Sequence, residues 1–325
     1  MNAALAKPAH YLTFEKPLAE IESRIAELQA TASAAPGLSV DEEVHSLREK
    51  AHGLLVDLYA KLDPWQKTLV ARHPERPHFK DYLGLLFTDI VELSGDRQFG
   101  DDNAILGGTA RFRGAPCVFL GQEKGRTTEE RLKHNFGMPM PEGYRKAVRL
   151  MDLAEQFGLP VIAFVDTAGA YPGIEAEERG QAEAIARSTE RCLTLKTPMV
   201  SVIIGEGGSG GAVALAAGNK VLMMEHSIYS VISPEGCAAI LWRDPARAKD
   251  AAEAMRIVSA DLLQLKVIDS IIPEPVGGAH RAPGKAADFV GKAIAEALAE
   301  LRDLSPEALK RQRRERFYAI GSVGL

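Results

Sequence analysis

Cysteine is almost missing from this sequence: Cys117, Cys192 and Cys237 are the three in 325 residues, and they stand far apart. Without a CxxC pair or a Cys/His cluster there is no framework for disulfides and no ligand set for structural zinc, so these thiols read as buried groups in a reducing compartment. A surplus of positive charge is lacking as well. Lys and Arg number 39 against 44 Asp and Glu, a formal net charge of -5, which gives no support to nucleic-acid binding as the main role. Nowhere do about 18 apolar residues run uninterrupted, which argues against a membrane span. The opening, MNAALAKPAHYLTFEKP, lacks the apolar stretch of a secretory signal, so a cytoplasmic location is expected. Two nucleotide signatures are absent too: no G-x-G-x-x-G follows a first strand with an acidic residue about 20 positions on, and there is no G-x-x-x-x-G-K-[ST] phosphate loop.

What is present is an ordinary globular composition, 46% hydrophobic and 26% charged, in three regions. Residues 1–77 read as helical. Leu18, Ile21, Ile25 and Leu28 recur at helical spacing, Ala34-Ala35-Pro36-Gly37 breaks the pattern, and Ser39 with Glu42 forms a capping box for a second helix whose face is Val44, Leu47, Ala51, Leu54, Leu55 and Leu58. Asp63-Pro64 opens a short third helix, and the run His73 to Pro77 ends the region. Each helix has one narrow apolar face, which suits packing on the chain's own core or on a partner subunit.

Residues 78–285 form the core, in which strands and helices alternate. Ile105 to Phe112 and Pro116 to Gly121 read as strands joined by a turn at Arg113-Gly114, followed by short buried strands at Pro160 to Val165, Met199 to Gly205 and Lys220 to Met224. Helices are expected at Glu142 to Phe157, Glu175 to Leu195, Gly210 to Ala217 and Pro234 to Trp242, the last capped by Ser233. This is an α/β pattern. Residues 286–325 are again helical, ending in a basic helix from Ser305-Pro306-Glu307 whose charges read as a solvated face.

Two strand-to-helix junctions carry the chemistry: VDTAGAYPG, 165–173, and IIGEGGSGGAVALAAG, 203–218. Ligands of α/β sheets bind at such junctions. The second admits two readings. Gly207-Gly208-Ser209-Gly210-Gly211 fits a G-x-S-x-G nucleophile elbow, and Asp269 and His280 follow in the order a hydrolase triad requires. Alternatively the glycines open a helix, and their main-chain N–H groups face a developing oxyanion while Ser209 serves only by being small.

Longer stretches bear a family resemblance. DTAGAYPGIEAEERGQAEAIAR (166–187), IGEGGSGGAVAL (204–215), YSVISPEGCAAILW (229–242), VIDSIIPEPVGGAHR (267–281), GDRQFGDDNAILGG (95–108), NFGMPMPEGYRKA (135–147) and LTFEKPLAEIE (12–22) resemble the alpha subunits of acetyl-CoA carboxylase carboxyltransferases. The resemblance spans nearly the whole chain. It implies a crotonase-type (ClpP/crotonase) α/β fold of repeated ββα units with an N-terminal helical extension, within an α2β2 heterotetramer whose subunit beta carries the zinc. It also implies transfer of a carboxyl group from carboxybiotin, held on biotin carboxyl carrier protein, to acetyl-CoA, giving malonyl-CoA in the first committed step of fatty-acid biosynthesis. Biotin carboxylase belongs to the larger, ATP-using complex. No cofactor would be bound tightly by this chain, since biotin arrives on its carrier.

On that reading the oxyanion hole falls to Gly210 and Gly211, with Gly207 and Gly208 as the alternative pair. Asp166, Ala168, Gly169, Tyr171 and Gly173 would line the pocket beside it, Tyr171 as a wall for a flat ring. Of the basic residues between Gly121 and Leu150, Lys124 and Arg126 follow a strand end and a glycine respectively, and are the candidates for CoA phosphates or the carboxylate of carboxybiotin.

Overall fold

The computed structural model describes residues 10–34 and 39–321. Helices α1 (Lys16–Ala34) and α2 (Asp41–Tyr59) pack on each other through Leu18, Ala51, Leu55 and Tyr59, and Val70 of α3 (Pro64–Ala71) joins that cluster. Of the expected break, Ala35 to Gly37 lie outside the described residues. Ser39 does not cap α2: the N-cap is Val40, whose apolar side chain accepts no hydrogen bond. At α3 the signal and the structure agree, since Asp63 accepts from Gln66 N (2.8 Å) and the Gln66 side chain reciprocates on Asp63 N (2.9 Å).

The core runs α4 (Phe79–Leu86), β1 (Phe87–Glu92), β2 (Ile105–Phe112), β3 (Ala115–Gln122), α5 (Thr128–Lys133), α6 (Pro141–Gln156), β4 (Val161–Thr167), α7 (Ile174–Glu178), α8 (Gln181–Thr194), β5 (Met199–Gly208), α9 (Ser209–Val213), β6 (Lys220–Met224), β7 (Ile228–Ser230), α10 (Pro234–Trp242), α11 (Ala248–Ala254), α12 (Ser259–Gln264) and β8 (Ser270–Ile272). Helices α13 (Pro283–Leu301) and α14 (Pro306–Ala319) follow. One sheet of order β1-β2-β3-β4-β5-β6-β8 forms the middle layer, with β7 paired to the end of β5. It is antiparallel from β1 to β3 and parallel from β3 onward. The β2–β3 hairpin turns at Arg113 and Gly114, both left-handed (φ 49° and 81°), the geometry that matches strand twist.

Strand alternation sorts the core into two layers. Phe119, Ile162, Phe164 and Val202 face α4 and α13, whereas Val118, Leu120, Val161, Ala163, Val165 and Ile203 face α6 and α8. Each of these side chains larger than alanine, fully buried, contributes about 1.5–3 kcal/mol.

Three further expectations need correction. The helix read over Glu175 to Leu195 is two, α7 and α8, because Gly180 between them is left-handed (φ 81°). The helix read over Gly210 to Ala217 is shorter, since the chain tightens after Val213 (Leu215 N to Ala212 O, 3.0 Å) to enter β6. Nor is α14 simply a solvated basic face. Arg313 is fully buried and donates to the Cys192, Leu195 and Thr197 carbonyls at the end of α8, while Arg316 binds Asp269 at 2.9 and 3.1 Å.

Candidate active site

The carboxyl ends of β3, β4 and β5 meet at one edge of the sheet. Pairing of β4 with β5 is regular from Val161↔Met199 to Val165↔Ile203, then slips to Thr167↔Gly207. The extra residues of β5 wrap around Asp166: its carboxylate accepts from Glu206 N (2.9 Å) and occupies the space a side chain at Gly205 would fill. Beyond the slip, Gly207 and Gly208 are buried and pair with Tyr229 and Ser230 of β7, so they belong to the sheet. Gly210 and Gly211 come next, in the first turn of α9, where the helix supplies no carbonyl for their N–H groups. A Cβ on Gly211 would lie 2.8 Å from both Ala170 N and Gly169 C. The loop after β4 and the turn after β5 are therefore in backbone contact. Among the described residues, Ala170 N–H has no hydrogen-bond partner, and it lies beside Gly211.

One buried amide ties these loops to the third strand. Gln122, the last residue of β3, donates from Nε2 to Gly211 O (2.7 Å) and accepts at Oε1 from Asp166 N (3.1 Å).

Beside the glycine turn lies a cleft of about 290 Å³, its lining including Arg72, His73, His78, Lys124, Arg131, Phe136, Asp166 and Glu206. A chain of charges crosses it. Glu235 and Glu206 flank Arg72 (2.5 and 2.6 Å), and Lys124 Nζ bridges Glu206 and Asp166, 2.8 Å from each. Burial alone would push the Glu206 carboxyl up, but Lys124 and Arg72 outweigh it and hold it down at about 2. Burial likewise favours neutral Lys124, and the Asp166 and Glu206 carboxylates reverse the balance, raising it above its ordinary value. At the mouth, Asn135, Phe136 and Gly137 are all left-handed (φ 47°, 55° and 76°), and this strained turn presents the exposed Phe136 ring to the cleft.

A family model described as acetyl co-enzyme A carboxylase carboxyltransferase-like matches residues 11–321. The acetyl-coenzyme A carboxylase carboxyl transferase subunit alpha of Caulobacter sp. (strain K31) is 63% identical over 317 residues, covering 98% of this chain and 99% of that one. That of Paracoccus denitrificans (strain Pd 1222) is 58% identical over 315 residues, covering 97% and 99%. The chain belongs to this alpha-subunit family. Its activity is the family's, carboxyl transfer as one component of a multi-subunit acetyl-CoA carboxylase in fatty-acid biosynthesis. Distant solved structures share the fold. A transcarboxylase 12S chain with methylmalonyl-coenzyme A and methylmalonic acid bound gives a TM-score of 0.56 at 15% identity, over 71% of this chain and 44% of that one. A Pseudomonas malonate decarboxylase hetero-tetramer in complex with coenzyme A gives 0.55 at 16%, over 68% and 89%. The α/β fold is thus the crotonase-like carboxyltransferase type that the resemblance implied.

Within the alpha-subunit family's sequence motifs, the expected site residues divide. Gly211 meets Gly169 at the loop contact, Ala168 packs on Gly208 and Asp166 on Gly205 and Glu206, while Gly210 faces Ile185. Lys124 reaches the cleft, yet it is locked between two carboxylates and is no free cation for a phosphate. Arg126 is half exposed and bound to Asp81 (2.6 Å). Tyr171 turns its hydroxyl to Glu175, and its ring lies over Gly173, where no Cβ would fit. The hydrolase alternative does not assemble. Ser209 is exposed and left-handed (φ 50°), but His280 is no surface residue: it is buried in a stack with His73 (3.9 Å) and makes no hydrogen bond through either ring nitrogen. Asp269 is occupied by Arg316 and Val221 N.

Sequence reasoning missed Arg72, Gln122, Ala170 and Glu206. Glu206 stands inside GEGG and Ala170 inside DTAGAY, at the very junctions that the glycines mark. Arg72 sits in the helical N-terminal region, and nothing local says that its guanidinium crosses into the core. Among the described residues, no group of three or more His, Cys, Asp or Glu is placed to hold a metal ion, and no helix is long and apolar enough to cross a membrane.

Proposed function

We propose that this chain forms the oxyanion-stabilising wall of the carboxyltransferase, with the N–H groups of Gly211 and Ala170 as the donors and Gly210 beside them. Gly207 and Gly208 then act as sheet residues that deliver the turn. The substrates on this reading are carboxybiotin on its carrier protein and acetyl-CoA, and the product is malonyl-CoA. Charge grows on the ureido oxygen of biotin as the carboxyl group leaves and on the thioester oxygen as acetyl-CoA loses its methyl proton. Two fixed N–H groups stabilise either charge without reorganising, and one such donor is worth about 3–4 kcal/mol in comparable sites. The ureido oxygen is the one we assign to this wall.

The observation that carries the reading is the meeting of the Gly211 and Ala170 backbones, one from each junction loop. Side chains fit the role of a base poorly here: Lys124, Asp166, Glu206 and Arg72 are all engaged with one another. The methyl proton then goes to the biotin anion left after transfer. We further propose that the complex is α2β2, that subunit beta supplies the facing wall and holds the zinc, and that biotin carboxylase and the carrier protein complete the assembly. Malonyl-CoA formation from acetyl-CoA and carboxybiotin tests this, first with this chain alone and then mixed with a subunit beta. Activity confined to the mixture is the expected result; turnover by the chain alone, or a folded but inactive mixture, overturns it.

A further inference from the structure

The turn from Ser209 to Ala212 has little to hold it still. Two consecutive glycines give it the widest backbone freedom any pair can have, and α9 is only five residues long. Its own hydrogen bonds skip a position: Ala214 N bonds Gly210 O (3.0 Å), but Leu215 N bonds Ala212 O (3.0 Å) and Ala216 N does the same (2.9 Å). The Gly211 carbonyl is left over, buried, and Gln122 Nε2 takes it at 2.7 Å. The other end of the same amide accepts Asp166 N at 3.1 Å, at the root of the loop that carries Ala170. Only one orientation of the amide serves both, because a carbonyl needs a donor and an N–H needs an acceptor. Gln122 is itself fully buried, so no water competes for either bond.

We infer that Gln122 is a positioning residue for carboxyl transfer: its side-chain amide fixes the separation and aim of the Gly211 and Ala170 N–H groups. It touches no substrate. It acts through the two main chains it bridges, which is why neither junction motif contains it. The inference rests on the proposed role of the Gly211 turn.

The test uses this chain assembled with subunit beta and three variants. Gln122→Met keeps the volume but leaves the Gly211 carbonyl and the Asp166 N–H unpaired, so the melting temperature of the complex should fall by several degrees; at a temperature where the complex is fully folded, kcat is expected to be about 10- to 100-fold lower while KM for acetyl-CoA stays within about two-fold. Gln122→Glu supplies a signature that loss of structure would not give. Protonated, its carboxyl can donate to Gly211 O and accept from Asp166 N; ionised, it can only repel that carbonyl. Its kcat should therefore fall with rising pH through a step absent from the parent enzyme, at pH values where the complex stays folded. Unchanged kcat in Gln122→Met, or a loss that tracks the fraction of complex unfolded with no new pH step in Gln122→Glu, overturns the inference. Gly211→Ala separates the two ideas. If it abolishes transfer while Gln122→Met does not, the positioning role alone is wrong; if it leaves transfer intact, the proposed turn is wrong and Gln122 with it.

Discussion

At Gly211 the smallest possible addition, one methyl group, would meet the Gly169–Ala170 backbone rather than a movable side chain. Relief must come from parting the two loops. Gly211→Ala should accordingly reduce kcat for malonyl-CoA formation at least about 100-fold, the scale set by losing an oxyanion donor, with far-UV circular dichroism unchanged. Ser209→Ala tests the opposite point, since among the described residues the Ser209 hydroxyl has no hydrogen-bond partner. Its kcat should stay within about two-fold of the parent, and a loss of 100-fold or more would return the serine to the chemistry. Lys124→Met would leave Asp166 and Glu206 buried without their shared cation. Breaking a buried pair in this way costs about 3–5 kcal/mol, readable as a lower urea midpoint at unchanged slope.

At the scale of elements, α14 acts as a clamp on α8. Arg313 satisfies carbonyls that the last turn of α8 cannot satisfy itself, and burial pushes its guanidinium down to about 10. Arg313→Met should cost about 3 kcal/mol in equilibrium unfolding, and an unchanged midpoint would mean water replaces the guanidinium without penalty. This clamp was invisible in the sequence, where RQRRERF reads as surface, because burial of a single arginine depends on a partner more than a hundred residues away. Local signals decide some elements and mislead at others. The β2–β3 hairpin follows from alternation plus Arg113-Gly114, and α10 from Ser233 and Pro234. Gly180 broke a helix that periodicity alone ran together, and Ser39 lost its cap to a neighbour. The site divides in the same way: glycine loops announce themselves, whereas the engagement of Lys124 and the bridge through Gln122 arise only when three strands are laid side by side.

For the whole molecule, acid is the weak direction. Burial lowers His73, His78 and His226, and it takes His280 down to about 2 with help from His73 and Arg76. A depressed histidine adds stability above its unfolded value of 6.5 and loses it as pH falls below that, because only the unfolded chain takes up the proton. Glu206 and Glu274, against burial, are held down at about 2 by Lys124 and Arg72 and by Arg76, and their contribution disappears as pH falls from 4.5 toward that value. The melting temperature should fall from pH 7 to pH 5 through the histidines and more steeply below 4.5. A flat profile between pH 7 and 5 would show that the histidines are hydrated.

The grip of Arg313 on residues 192 to 197 also sets a birth order. During synthesis the end of α8 leaves the ribosome more than a hundred residues before its clamp does. At roughly 5–20 residues per second that wait is on the order of 10 s. Through it the nascent chain holds an uncapped helix end against a core still missing its last layer, which is the window in which a chaperone would find it.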